Sequence, residues 1–171
     1  MTKSTPKRKP RTKIDKDPAL KREAARLRLN AERLHRAVSN RKMPEVSRWP
    51  LPADAHPETF GLQIVGDCLA PRALEGQVLL VEPTMPQPGE LAVFFFQGGG
   101  LPICKMLSRP IVGYPHHPES EVIPVAEIEQ LNPPKRFHVL LNKVEAIGRV
   151  HSVIGEPGAV DNGGKNAAGL I

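Results

Sequence analysis

Residues 41–60 hold Pro44, Pro50, Pro52 and Pro57, and proline at that density rules out a helix and favours extended chain. This linker cuts the sequence into two parts with different periodicities. Before it, apolar residues return at helical spacing. After it come β-rich runs separated by turns. Its one tryptophan, Trp49, is expected to anchor the linker on the surface of the β-rich part. A chain of 171 residues then has room for one domain plus extensions.

In the first part, Asp17-Pro18 reads as a helix start, an acidic N-cap followed by proline at the first helical position. Leu20, Ala24, Leu27, Ala31, Leu34 and Val38 follow at spacings of four and three, which predicts one amphipathic helix over 17–40. Arg22, Arg26, Arg33 and Arg36 fall off that stripe, on the predicted outer face. Two uses of the helix compete: it pairs with a second copy or binds nucleic acid, or it docks its stripe on the second part. Alanine at two of the seam positions makes a weak zipper and favours docking or weak pairing. Residues 1–16, centred on Lys7-Arg8-Lys9-Pro10-Arg11, have almost no apolar content and are expected to be disordered.

Charge is segregated along the same divide. Residues 1–48 carry sixteen Lys and Arg against five Asp and Glu, a net of +11, while residues 49–171 have a net of −5. Such a block implies an acidic partner, most simply nucleic acid phosphate, or else a solvated tail. Lys7, Arg8, Lys9, Arg11, Arg22, Arg26, Arg33 and Arg36 are the candidate contacts. A single helix with no glycine turn is not a helix-turn-helix, so contact with DNA would be mainly electrostatic.

The second part, 61–155, predicts a mainly β domain with strands near 61–66, 77–82, 90–97, 101–108, 121–125, 136–141 and 143–154. Pro86-Gln87-Pro88-Gly89 and Gln97-Gly98-Gly99-Gly100 are the turns. The glycine triplet is a hairpin turn and not a phosphate loop, since no Lys-Ser/Thr comes after it and no helix opens. The loop 110–120 carries His116-His117, but adjacent histidines do not share a metal easily, and no metal site or cofactor is expected. Residues 156–171 read as a flexible tail. No small-molecule ligand is evident. No apolar run reaches the roughly eighteen residues of a membrane span, and the N-terminus lacks a signal-peptide core. Two cysteines form no disulfide framework, so the expected location is cytoplasmic.

Two places carry chemistry. Gly66-Asp67-Cys68-Leu69-Ala70-Pro71 presents a thiol at a turn after a strand, and Ile103-Cys104-Lys105-Met106-Leu107 sets one lysine inside an apolar strand, where it is costly unless used. With Pro88-Gly89-Glu90-Leu91-Ala92-Val93 and Gly148-Arg149-Val150, these motifs resemble, in order, the carboxy-terminal domain of the LexA and UmuD self-cleaving repressors, relatives of the signal peptidases. The resemblance covers a little over half the chain. It implies a peptidase-like β-fold, a serine/lysine dyad at Cys68 and Lys105, a homodimer, and a role in transcriptional regulation of the SOS-response or prophage kind. Cysteine stands where the family has its serine.

A cysteine alters the chemistry. A thiol titrates near about 8.5 and a lysine near about 10.4, so the pair can rest as thiolate and ammonium without a general base. The amides after Cys68 are candidate oxyanion donors. The bland alternative is that Cys68 is a small core residue and Lys105 an apolar stem with an exposed head. Cys104 should point away from Lys105 and be plain core. The family cuts an Ala-Gly or Cys-Gly bond upstream of its serine, but the first glycine here, Gly61, follows Phe60, and Ala168-Gly169 lies far downstream. The sequence therefore predicts a regulatory protein with a degenerate or altered peptidase domain and no self-cleavage. An active Cys/Lys peptidase acting in trans and a non-specific nucleic-acid-binding dimer are the alternatives.

Overall fold

A computed structural model describes residues 17–41, 51–117 and 119–155. The basic run Lys7–Arg11, Trp49 and the tail 156–171 lie outside these residues. One helix precedes seven strands: α1 (Pro18–Asn40), β1 (Phe60–Gln63), β2 (Val78–Glu82), β3 (Leu91–Phe96), β4 (Ile103–Leu107), β5 (Val125–Leu131), β6 (Pro134–Leu140) and β7 (Val144–Ile154). The strands form one antiparallel sheet in the order β1-β2-β7-β3-β4-β5-β6, so the molecule is mainly β with one N-terminal helix. β-Bulges at Leu80/Val81 and Phe95/Phe96 interrupt the pairing of β7 with β2 and β3 and add local twist to the sheet.

The core lies in two clusters. Val93, Phe95 and Cys104 join Leu62, Ile64 and Leu69 in the first, which α1 closes with Leu34 and Ala37. Ala92, Phe94 and Leu107 join Ala126, Ile128 and Ile147 in the second, which the β4–β5 loop closes with Tyr114. Successive residues of β3 and of β4 thus belong to different clusters, the alternation a strand imposes. Tyr114 hydrogen-bonds through its hydroxyl to the Glu145 carbonyl at 3.0 Å. Burial pushes its phenol up to about 12, with Arg33 pulling the other way.

The predicted helix is present, and Asp17 caps it, its carboxylate accepting from the Ala19 amide at 2.8 Å. Its packing differs from the predicted stripe. Leu20 and Leu27 are exposed; of the stripe, Leu34 is buried and Val38 packs on the first cluster, and off-stripe Asn30 and Ala37 join them in the seam. Gly148 on β7 leaves room for Val81: a Cβ there would overlap Cγ1 of Val81, while its 3.6 Å to Cδ2 of Leu34 is ordinary contact with the helix. Buried Asn30 stitches the seam, its Nδ2 donating to the Pro83 and Ile147 carbonyls at 3.0 and 2.8 Å. Arg41 closes the C-terminus. Its guanidinium donates to the carbonyls of Ala37, Phe96 and Gly100, pairs with Glu145 at 3.1 Å and lies 5.5 Å from the Phe95 ring centre.

One strand departs from its predicted place. The run 121–124 is open loop, with Val122 76 % exposed, and the strand is β5, starting at Val125. Its signal is the alternation of buried Ala126 and Ile128 with half-buried Glu127 and Glu129. The β-branched residues upstream mask that pattern, and Pro124 separates the two runs.

Candidate functional site

The Cys68 loop is built on its base. Ile64 donates to the Gln77 carbonyl at 2.8 Å, and its own carbonyl accepts from Gly76 at 3.0 Å, closing the chain after β1. Gly66 then turns with φ +86°, a conformation that side-chain-bearing residues rarely adopt. The Asp67 carbonyl accepts from Ala70, and that of Leu69 from Arg72 and Ala73, while buried Leu69 and Ala73 anchor the turn in the first cluster. The Ala70–Pro71 peptide is cis.

The loop is also held from across the sheet. The Cys68 carbonyl accepts from the amides of Leu131 and Asn132 at 3.0 and 3.1 Å, and Asn132 Nδ2 donates to the Asp67 carboxylate at 2.9 Å. The tip of the β5–β6 hairpin is therefore committed to the Cys68 loop. β5 correspondingly pairs with β4 only at Met106 and Leu107, leaving Ile103, Cys104 and Lys105 paired on the β3 side alone. Among the described residues, no group accepts from the amides of Cys68 and Leu69.

The two candidate catalytic residues diverge at β4. Cys68 is half-buried and packs on the cluster that contains Cys104. Cys104 is fully buried; burial pushes its thiol up strongly, nearby Cys68 adds to that, and Lys105 and Arg72 oppose it. Lys105 follows Cys104 and so projects to the opposite face. It stands in register with Ala92 of the second cluster and lines an apolar groove with Ile103, Ile128 and Phe137. No hydrogen bond joins Cys68 to Lys105 among the described residues. The loop thus brings Cys68 to Cys104, with Lys105 on the other side of the strand.

The candidate nucleic-acid contacts also divide. Lys7, Arg8, Lys9 and Arg11 lie outside the described residues. Arg22 and Arg36 are exposed on α1. Arg26 and Arg33 are half-buried, not on the open outer face that the stripe predicts, and Arg33 is near enough to Tyr114 to oppose the rise of its phenol. The reason is the rotated seam: burying Asn30, Leu34 and Ala37 turns positions 26 and 33 toward the sheet.

Sequence reasoning missed the polar groups that fix the fold: Asn30, Arg41, Tyr114 and Glu82. Glu82 is buried and accepts from Arg149, Thr84 and the His56 amide. Burial pushes its carboxyl up, but these hydrogen bonds outweigh burial and hold it below the usual value. A carboxylate closing an apolar strand opposite an arginine strand was the available signal. Among the described residues no helix is long and apolar enough to cross a membrane, and no group of three or more ligating side chains is gathered for a metal. Compared with family models, curated proteins and solved structures, the chain matches none.

Proposed function

We propose that this chain is a regulatory protein of LexA-like type whose β-domain is a binding scaffold without peptidase activity, and whose basic first forty residues engage nucleic acid. The observation that carries the reading is the divergence of Cys68 and Lys105 to opposite faces of β4. A thiol with no lysine partner lacks both the counter-ion and the proton donor that a Cys/Lys dyad needs. The missing Ala-Gly or Cys-Gly bond ahead of Cys68 agrees with it. The net charge of +11 in residues 1–48 supports the phosphate partner, with Arg22 and Arg36 as its exposed contacts on the helix. Catalysis in trans is the second reading, favoured by the two unbonded amides at Cys68 and Leu69.

One pair of measurements separates the readings. Alkylation of Cys68 is followed against pH in a Cys104→Ala background, with and without Lys105→Ala. A scaffold gives the same profile in both proteins; a profile that moves when Lys105 is lost establishes the dyad. Binding to a DNA duplex is then titrated against salt. It should weaken linearly in log–log form, by about 0.9 per phosphate neutralised, and fall in the Arg22→Glu/Arg36→Glu variant. Salt-independent or absent binding removes the nucleic-acid reading.

A further inference from the structure

The groove that Lys105 lines remains without a role. It exists because the β5–β6 hairpin leaves β4 at Met106 to reach the Cys68 loop, so the strands part beside Ile103 and Lys105. The space is about 390 Å³, within the range of small-molecule sites. Its walls are apolar, principally Phe96, Ile103, Ile128 and Phe137, and no acidic side chain lines it. Lys105 is only 5 % exposed, and among the described residues it has neither an ion pair nor a hydrogen bond. Exposed Lys143 also lines the groove, and the Lys135 ammonium lies 5.1 Å from the Phe137 ring centre.

An ammonium set among apolar side chains without a counter-charge is unfavourable, and an anion delivered to it relieves that cost. An apolar wall around the same point favours a ligand that is hydrocarbon over most of its length. We propose that this groove binds a small amphipathic carboxylate, a medium-chain fatty acid, with its headgroup on Lys105 and its chain along Phe96, Ile103, Ile128 and Phe137. Lys143 and Lys135 add positive potential at the approach, which steers anions toward the groove. The inference stands apart from the nucleic-acid reading, because the basic helix takes no part in it.

The test uses the full-length protein with decanoate and decanol as probes, followed by calorimetry and by the thermal midpoint. Decanoate should bind and raise the midpoint, and decanol should bind at least tenfold more weakly, since only the carboxylate meets the ammonium. Lys105→Met keeps the stem and removes the charge; it should erase the preference for decanoate while leaving decanol affinity within about twofold. The two probes on the unaltered protein keep the test decisive if that variant does not fold. Equal affinity for both probes, or no binding of decanoate below its micelle concentration, overturns the proposal. So does decanoate binding that survives Lys105→Met unchanged. A groove already closed by a second copy, seen as binding that appears only on dilution to monomer, also overturns it. None of these outcomes bears on duplex binding, so the two readings fail separately.

Discussion

The two halves of α1 have the same kind of sequence and different fates. Leu20, Leu27 and Leu29 in the first half stand exposed, whereas Leu34 and Ala37 in the second are buried against the sheet. Both halves carry leucines and arginines at helical spacing. What separates them is the surface opposite. Beside Leu34 lies the backbone of Gly148, and Pro83 and Ile147 offer carbonyls to Asn30. An apolar stripe establishes that a segment can be a helix. Which part of it docks depends on where the partner sheet permits close approach.

The largest effect that tests this comparison is at Leu34. Leu34→Ala removes a side chain that is 2 % exposed and touches the first cluster, and should cost about 2–5 kcal/mol in urea unfolding. Leu27→Ala, at 36 % exposed, should stay within about 0.5 kcal/mol. A Leu27→Ala loss that grows as protein is diluted would break the comparison, because it would mean the first half is buried in a dimer.

Gly148→Ala comes next. The added methyl meets Val81, a β-branched core residue with little freedom to move aside, and overpacking of this kind costs about 1–3 kcal/mol. Val81→Ala in the same chain makes room, so the double variant should be more stable than the sum of the single losses predicts. Additive losses would show that the cost of the added methyl does not come from Val81.

These residues also show why the sequence was only partly legible. Asp17-Pro18 announced the helix through local chemistry, since a cap and a fixed φ need no distant partner. Most strands were legible for the same reason, as short β-rich runs between prolines and glycines. Asn30 was not: its worth depends on carbonyls of Pro83 and Ile147, far along the chain. β5 was misplaced because Val122 and Ile123 have strand propensity yet lie in loop, while the weaker alternation of Ala126 and Ile128 has the sheet to pair with. At the site, Cys68 and Lys105 were both conspicuous as residues. Their relation was not, because it turns on which face of β4 each occupies, and that is set by the register of β3 and by the hairpin tip at Leu131 and Asn132.

The smallest expected effect concerns the sheet beyond the helix, where the paired Glu82 and Arg149 add a polar contact between β2 and β7. Glu82 accepts from Arg149 Nε at 2.7 Å and from Thr84 at 3.0 Å, and Arg149 also reaches Glu90 at 3.6 Å. Although burial pushes the Glu82 carboxyl up, these bonds leave it below its ordinary value of 4.5. A carboxyl with a depressed folded value binds its proton more weakly folded than unfolded, so its stabilisation is present above pH 4.5 and is lost as pH falls through the folded value. The thermal midpoint of Glu82→Gln should therefore lie furthest below that of the unaltered protein near neutral pH, and the gap should close steadily in acid. A gap that is constant with pH would assign the seam between β2 and β7 to packing alone. A gap that widens in acid would mean burial outweighs the hydrogen bonds of Arg149 and Thr84, reversing the sign of the Glu82 contribution.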